Sequence, residues 1–243
     1  MSILGLSLLE IAIALSAVIA GACLQGSLGF GLGLVAGPVL VLLEPGLVPG
    51  PLLCMSVPLA LLVAWRERKS LDFGSVRWAV VGRIPGTLLG SMAVVLLSQR
   101  GIAGLFAFAV LSAVAVSLLG LSVEPTRRNL LSAGVASGAM GTATSVGGPP
   151  IALVYQRSSG PELRASMAAF MIFGASFSLV VLVALGEFDL TDLKLSALLV
   201  PGVVVGFVLS RWTNSFLDNG YTRPAVLTFA VISAVSIVIR QVL

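Results

Sequence analysis

Residues 129–155 read NLLSAGVASGAMGTATSVGGPPIALVY, a run without a charged side chain, apolar enough for a bilayer and poorly made for one regular helix. Pro149 and Pro150 have no N–H to donate, and Pro150 pushes Pro149 away from helical dihedrals. The spacing therefore predicts a helical hairpin with arms near 129–139 and 142–155. Neither arm reaches the roughly 20 residues a full crossing takes.

The rest of the chain supports lipid as its solvent. It has 243 residues, 58% hydrophobic and 10% charged, with a mean hydropathy of +1.10. A soluble domain is about 25% charged. Apolar segments fall near 3–24, 27–43, 51–64, 78–97 and 102–121, and again near 129–139, 142–155, 165–186, 194–210 and 224–242. They lack the strict alternation a membrane barrel requires, so helices are the expected spans. The N-terminus has no basic leader region and carries Glu10, and reads as a retained helix rather than a cleaved signal.

Three pairs of motifs recur in order. Gly26, Gly29 and Pro38 match Gly138, Gly141 and Pro150 at an interval of 112; PGTLLG at 85–90 matches PGVVVG at 201–206; FAVLSAV at 108–114 matches FAVISAV at 229–235. Together they indicate a duplication, with repeats at 1–122 and 129–243 forming one integral membrane domain. Basic residues gather in cytoplasmic loops. Arg66, Arg68, Lys69 and Arg77 place their loop inside, and Arg127 and Arg128 agree two crossings later. Treating 129–155 as a hairpin puts the Arg157/Arg164 loop inside and the acidic loop of Glu187, Asp189 and Asp192 outside. Equivalent loops then face opposite sides. The expected fold is an all-α polytopic membrane protein with two inverted-topology repeats, each holding a Gly/Pro-broken hairpin and three full spans.

Inverted repeats with broken helices at matching positions point to a secondary transporter whose site lies near the midplane. Backbone left irregular at that depth must be buried in protein or line a cavity. A helix starting at such a break exposes N–H groups that favour an anion. The candidate substrate-binding residues are Gln25, Gly26, Gly29, Phe30 and Gly31 in the first hairpin. In the second they are Thr142, Thr144, Ser145, Gly147, Gly148, Pro149, Tyr155 and Gln156. Gln25 and Gln156 offer NH₂ donors, and Tyr155 offers a hydroxyl or serves as an interfacial anchor. The alternative for the glycines is close helix packing alone. Arg83 joins the candidates from within the apolar segment 78–97, either as an anion ligand or as a side chain one turn inside the cytoplasmic end that snorkels to that face together with Arg77.

Other chemistry is absent from the sequence. There is no histidine, so a His-based triad cannot be built, and no metal-ligand cluster or paired acids can be seen. Cys23 and Cys54 lie in apolar segments as small hydrophobes. No G-x-x-x-x-G-K-[ST] loop is present to bind ATP. The net charge of +4 is topological rather than a nucleic-acid signal. The chain reads as a transporter and not an enzyme, without cofactor or metal, its partners a small anion and the bilayer. The coupling ion is left open, as is the oligomeric state, for which a homodimer is one option.

Gln25-Gly26-x-x-Gly29-Phe30-Gly31-x-Gly33 with Pro38, Gly138-x-x-Gly141 followed by Val146-Gly147-Gly148-Pro149-Pro150, and the basic loop at 65–69 carry a resemblance. They resemble the sulfite exporter TauE/SafE family of small-anion transporters, over essentially the whole chain. The resemblance implies a bacterial inner-membrane permease for sulfite, sulfonates or related sulfur-containing or organic anions. It carries substrate contact onto the two hairpin stretches only. Thr142, Ala143, Thr144 and Ser145 depart from a compact glycine run in the second stretch. The rival readings are an anion channel of the same architecture and a non-transporting membrane scaffold subunit.

Overall fold

The structure is a computed structural model that describes residues 2–71, 73–98, 100–102, 104–105, 108, 123–155 and 157–216. Gln156 and nearly all of the fifth segment of each half, 102–121 and 224–242, lie outside the described residues. The described residues hold eight α-helices: α1 (Leu8–Leu28), α2 (Leu32–Leu43), α3 (Gly50–Arg66), α4 (Phe73–Leu96), α5 (Arg127–Thr144), α6 (Gly148–Tyr155), α7 (Gly160–Ala184) and α8 (Leu190–Phe216). Five segments are long and apolar enough to cross a bilayer: Leu8–Leu28, Pro45–Arg66, Val76–Leu96, Gly160–Ala184 and Leu190–Thr213. This is a polytopic helical membrane protein. At ~1.5 Å per residue, α2 spans about 18 Å and α6 about 12 Å, well short of a hydrocarbon core of about 30 Å.

Helix ends follow local chemistry and correct the expected bounds. Residues 2–7 form a small antiparallel hairpin, with Ser2 opposite Ser7 and Ile3 opposite Leu6, before α1 begins. Ser7 accepts the Glu10 N–H at 3.3 Å, and the Glu10 carboxylate accepts the Ser7 N–H at 2.7 Å. Glu10 is thus half of a capping box at the first turn, not an acid within the span.

The other end of α1 runs on to Leu28. It stops because Gly29 turns left-handed, φ +88°, and its N–H closes on the Gln25 carbonyl at 2.7 Å. Gly31, at φ +140°, redirects the chain into α2. α5 likewise continues to Thr144 and ends on a left-handed cap, Ser145 at φ +60°, whose N–H reaches the Gly141 carbonyl at 2.9 Å. The second break therefore lies at 145–147 rather than between 139 and 142. Pro149 and Pro150 open α6 instead of stopping its predecessor, because a first-turn proline lacks only an N–H that has no helical partner. The caps Gly29 and Ser145 are 116 positions apart, as are Pro85 of α4 and Pro201 of α8.

α1 packs along α8 and α4 along α5, while α3 and α7 lie against each other between these pairs. Both outer pairs approach backbone to backbone: a β-carbon at Gly86 would overlap the Val135 carbonyl, and one at Gly206 the Ile19 carbonyl. Small residues permit such contact where lipid supplies no hydrophobic drive between helices. Leu88, Leu89, Met92 and Val95 of α4 and Val204, Val205, Val208 and Leu209 of α8 face outward from the described residues. At one end of the bundle Glu67 meets Arg164, and Arg127 lies over Trp78. At the other, Gly50 abuts Phe188 and Asp192. The hairpin of α5 and α6 returns toward the basic end, with Tyr155 in one cluster with Val76 and Leu130.

Candidate functional site

The two chain breaks meet. A β-carbon on Gly33 would overlap the Ser145 carbonyl, and one on Gly148 would lie 2.5 Å from that of Phe30. At this junction is a cavity of about 20 Å³, room for about one water molecule. Gln25, Phe30, Gly31, Arg83, Ser145, Gly147, Gly148 and Pro149 line it, all of them expected from the sequence. Leu52, Leu53, Ser56, Met171 and Ala175 complete a mostly apolar wall.

Arg83 dominates the electrostatics. Ten residues of α4 precede it and thirteen follow, about 15 and 20 Å of helix. It is 1% exposed, so it is buried in protein and does not snorkel. Its Nη1 donates to Ser137 Oγ at 3.2 Å, and the guanidinium lies 4.8 Å from the centre of the Phe170 ring. Nε has no hydrogen-bond partner. No carboxylate pairs with it among the described residues. α7 makes room for the side chain at Gly174, where a β-carbon would overlap the guanidinium. An arginine at this depth costs about 2.5–3.5 kcal/mol on insertion scales, and a buried charge lacking a partner is strongly unfavourable.

Side-chain hydrogen bonds brace both breaks. Gln25 Oε1 accepts the Leu32 N–H at 3.1 Å, tying the start of α2 to the last turn of α1. Ser137 Oγ donates to the Gly147 carbonyl across the second break. Ser145 Oγ donates to the Pro49 carbonyl at 3.0 Å, fastening that break to the start of α3.

The remaining candidates point elsewhere. Thr142 pairs with Ser178 at 2.8 Å, between α5 and α7. Thr144 Oγ1 turns back to the Met140 carbonyl at 2.6 Å and accepts the Val146 N–H at 3.3 Å. Tyr155 is buried, 3% exposed, among Val154, Met167 and Phe170. Gly26 and Gly29 serve close packing, against Ser210 of α8 and against Met167 and Arg164 of α7. Sequence reasoning missed Ser137, Phe170 and Gly174 around Arg83. A lone glycine in the apolar α7 was the available signal for Gly174, since such a glycine usually has a packing or functional reason.

A second polar cluster closes the basic end. Glu67 Oε1 accepts from Arg66 Nε and Arg164 Nε, both at 3.0 Å. Arg66 also donates to the Gly26 carbonyl and, at 2.9 Å, to Ser210 Oγ. Arg164 reaches the Ser27 carbonyl at 3.3 Å. These carbonyls belong to the last turn of α1, where helical partners run out. Among the described residues no group of three His, Cys, Asp or Glu side chains is placed to hold a metal.

The chain has no significant match among curated proteins or solved structures. Residues 13–237, nearly the whole chain, match the family described as Sulfite exporter TauE/SafE. This chain belongs to the sulfite exporter TauE/SafE family, whose members are membrane transport proteins and not enzymes.

Proposed function

We propose that the chain is a secondary transporter that carries sulfite, a sulfonate or a related small anion across a bacterial inner membrane by alternating access. The observation that carries this reading is Arg83: a guanidinium buried at the meeting point of two broken helices, with Nε unpartnered and, among the described residues, no acid paired with it. An oxyanion at the cavity would complete its hydrogen bonding and its charge balance in one step. Gln25 and Ser145 are the neutral groups best placed to orient it.

The packing order supports an inverted duplication. α1 against α8 has its counterpart in α5 against α4, and the contact of α3 with α8 is matched by that of α7 with α4. In each repeat the broken hairpin rests on the last described helix of the other repeat. Rocking one repeat against the other around the fixed site would alternate access. The cavity holds about one water molecule, which favours a carrier that must open over a continuous channel.

Uptake of labelled sulfite, sulfoacetate and acetate into proteoliposomes tests the reading. Saturable flux with counterflow is the expected result. Single-channel currents would favour the channel, and folded protein that moves no anion would end the proposal.

A further inference from the structure

We infer that Glu67 closes a gate on the basic side of the cavity: its carboxylate, shared by Arg66 and Arg164, holds that side shut, and the side opens only when the cluster comes apart. The inference rests on the transport reading and goes beyond it, from the anion site to the barrier over it.

The cluster lies against the wall of the cavity. Gln25 and Phe30 line the cavity, and residues 26–29 between them form the end of α1 and its cap. The carbonyls of that last turn are the ones held, Gly26 by Arg66 and Ser27 by Arg164. A β-carbon at Gly29 would lie 3.2 Å from the Arg164 Cα, so α7 is laid directly on the cap. From the other side Arg66 donates to Ser210 of α8 and rests 5.1 Å from the centre of the Phe207 ring. Four helices thus converge on three charged side chains.

The links cross between the two proposed repeats. Arg164 to Glu67, Arg164 to Ser27, and Arg66 to Ser210 each join an element of the first to a helix of the second. A rocking motion that parts the repeats at this end must break all three. At the opposite end, hydroxyl-to-carbonyl bonds from Ser145 to Pro49 and from Ser196 to Pro51 bridge the repeats, and they involve no charge.

Charge gives the cluster its direction. The side chains of Arg66, Glu67 and Arg164 are 16%, 12% and 6% exposed. Without the carboxylate, two guanidiniums are left side by side and largely out of water, which is strongly unfavourable. Opening the basic side returns both to water. Loss of the Glu67 charge therefore shifts the population toward the state open on that side instead of weakening the fold evenly.

The test uses Ser56→Cys, a reporter in the cavity wall, in the full chain with Cys23→Ala and Cys54→Ala. A membrane-impermeant thiol reagent is applied to membrane vesicles of either orientation. A minor open state is populated at about 0.1–10%, so making it dominant should speed labelling from the basic side about 10-fold or more in Glu67→Gln. Arg164→Gln, which removes the link from the other repeat, should do the same, and Arg68→Ala should not. Labelling from the opposite side should not rise. Rates from the basic side that match wild type in both cluster variants, or rates that rise equally from both sides, overturn the gate and leave the transport reading standing. Wild-type protein that moves no sulfite in proteoliposomes overturns the transport reading, and the gate with it.

Discussion

Gly33, in the first turn of α2, sits in backbone contact with Ser145, the left-handed cap of α5: a β-carbon at position 33 would overlap the Ser145 carbonyl. Two breaks far apart in sequence are thereby held as one structure. Gly33→Ala should push the hairpins apart, destabilise the protein by about 1–3 kcal/mol as overpacking does, and abolish saturable flux. Thermal unfolding in detergent together with proteoliposome flux checks both. Unchanged flux would mean that the contact is not needed by the site.

Glu67 is the shared acceptor of two arginines at the basic end. Glu67→Gln removes the charge that compensates both and should cost about 2 kcal/mol of stability, below the full figure for breaking a buried pair because the cluster is partly exposed. A double-mutant cycle with Arg164→Gln should return a coupling of about 1 kcal/mol. Additive effects would show that the ion pair contributes nothing beyond packing.

Thr142 and Ser178 share a buried hydrogen bond between α5 and α7, and the Ser178 hydroxyl also donates to the Gly174 carbonyl. Thr142→Val should cost about 1–2 kcal/mol and leave the KM for sulfite within twofold. A KM raised about tenfold or more, at unchanged stability, would return Thr142 to the binding site.

At the acidic end Asp189 accepts the N–H groups of Asp192 at 3.1 Å and Thr191 at 2.6 Å, which hold its carboxyl below the usual carboxylate range. A depressed folded-state pKa contributes stability that is present above the unfolded value and lost as pH falls through the folded one. Acidification through that window should lower the hydrogen-exchange protection factors of Thr191 and Asp192 in the wild type, measured against the intrinsic rate at each pH. Asp189→Asn, which does not titrate, should show no such step.

Much of this could be read from the sequence, and the failures share a physical cause. The apolar spans and the existence of two breaks follow from hydropathy and from the placement of glycine and proline, and eight residues named as substrate contacts for their donors, charge or position line the cavity where the breaks meet. Register does not. A helix such as α5, with small residues and hydroxyls scattered around it, gives no phase from which to tell that Thr142 faces Ser178 and Thr144 its own backbone, while Ser137 faces Arg83. Proline is ambiguous in the same way, because Pro149 and Pro150 suit a helix start as well as they oppose a helix interior. The fate of Arg83 turned on tertiary packing: the gap at Gly174 and the Phe170 ring enclose the side chain against α7 instead of letting it rise to the surface.

Whether Arg83 is the ligand of the transported anion is tested most directly by Arg83→Met measured against Arg68→Ala. Arg68 is exposed and lies over Trp65. Removing an unpaired buried charge should leave the thermal stability of the empty protein unchanged or raise it by about 1–2 kcal/mol. Arg83→Met should abolish saturable sulfite flux at that undiminished stability, and Arg68→Ala should keep wild-type flux. Equal flux in the two variants, or a flux loss that merely tracks unfolding of Arg83→Met, would contradict it.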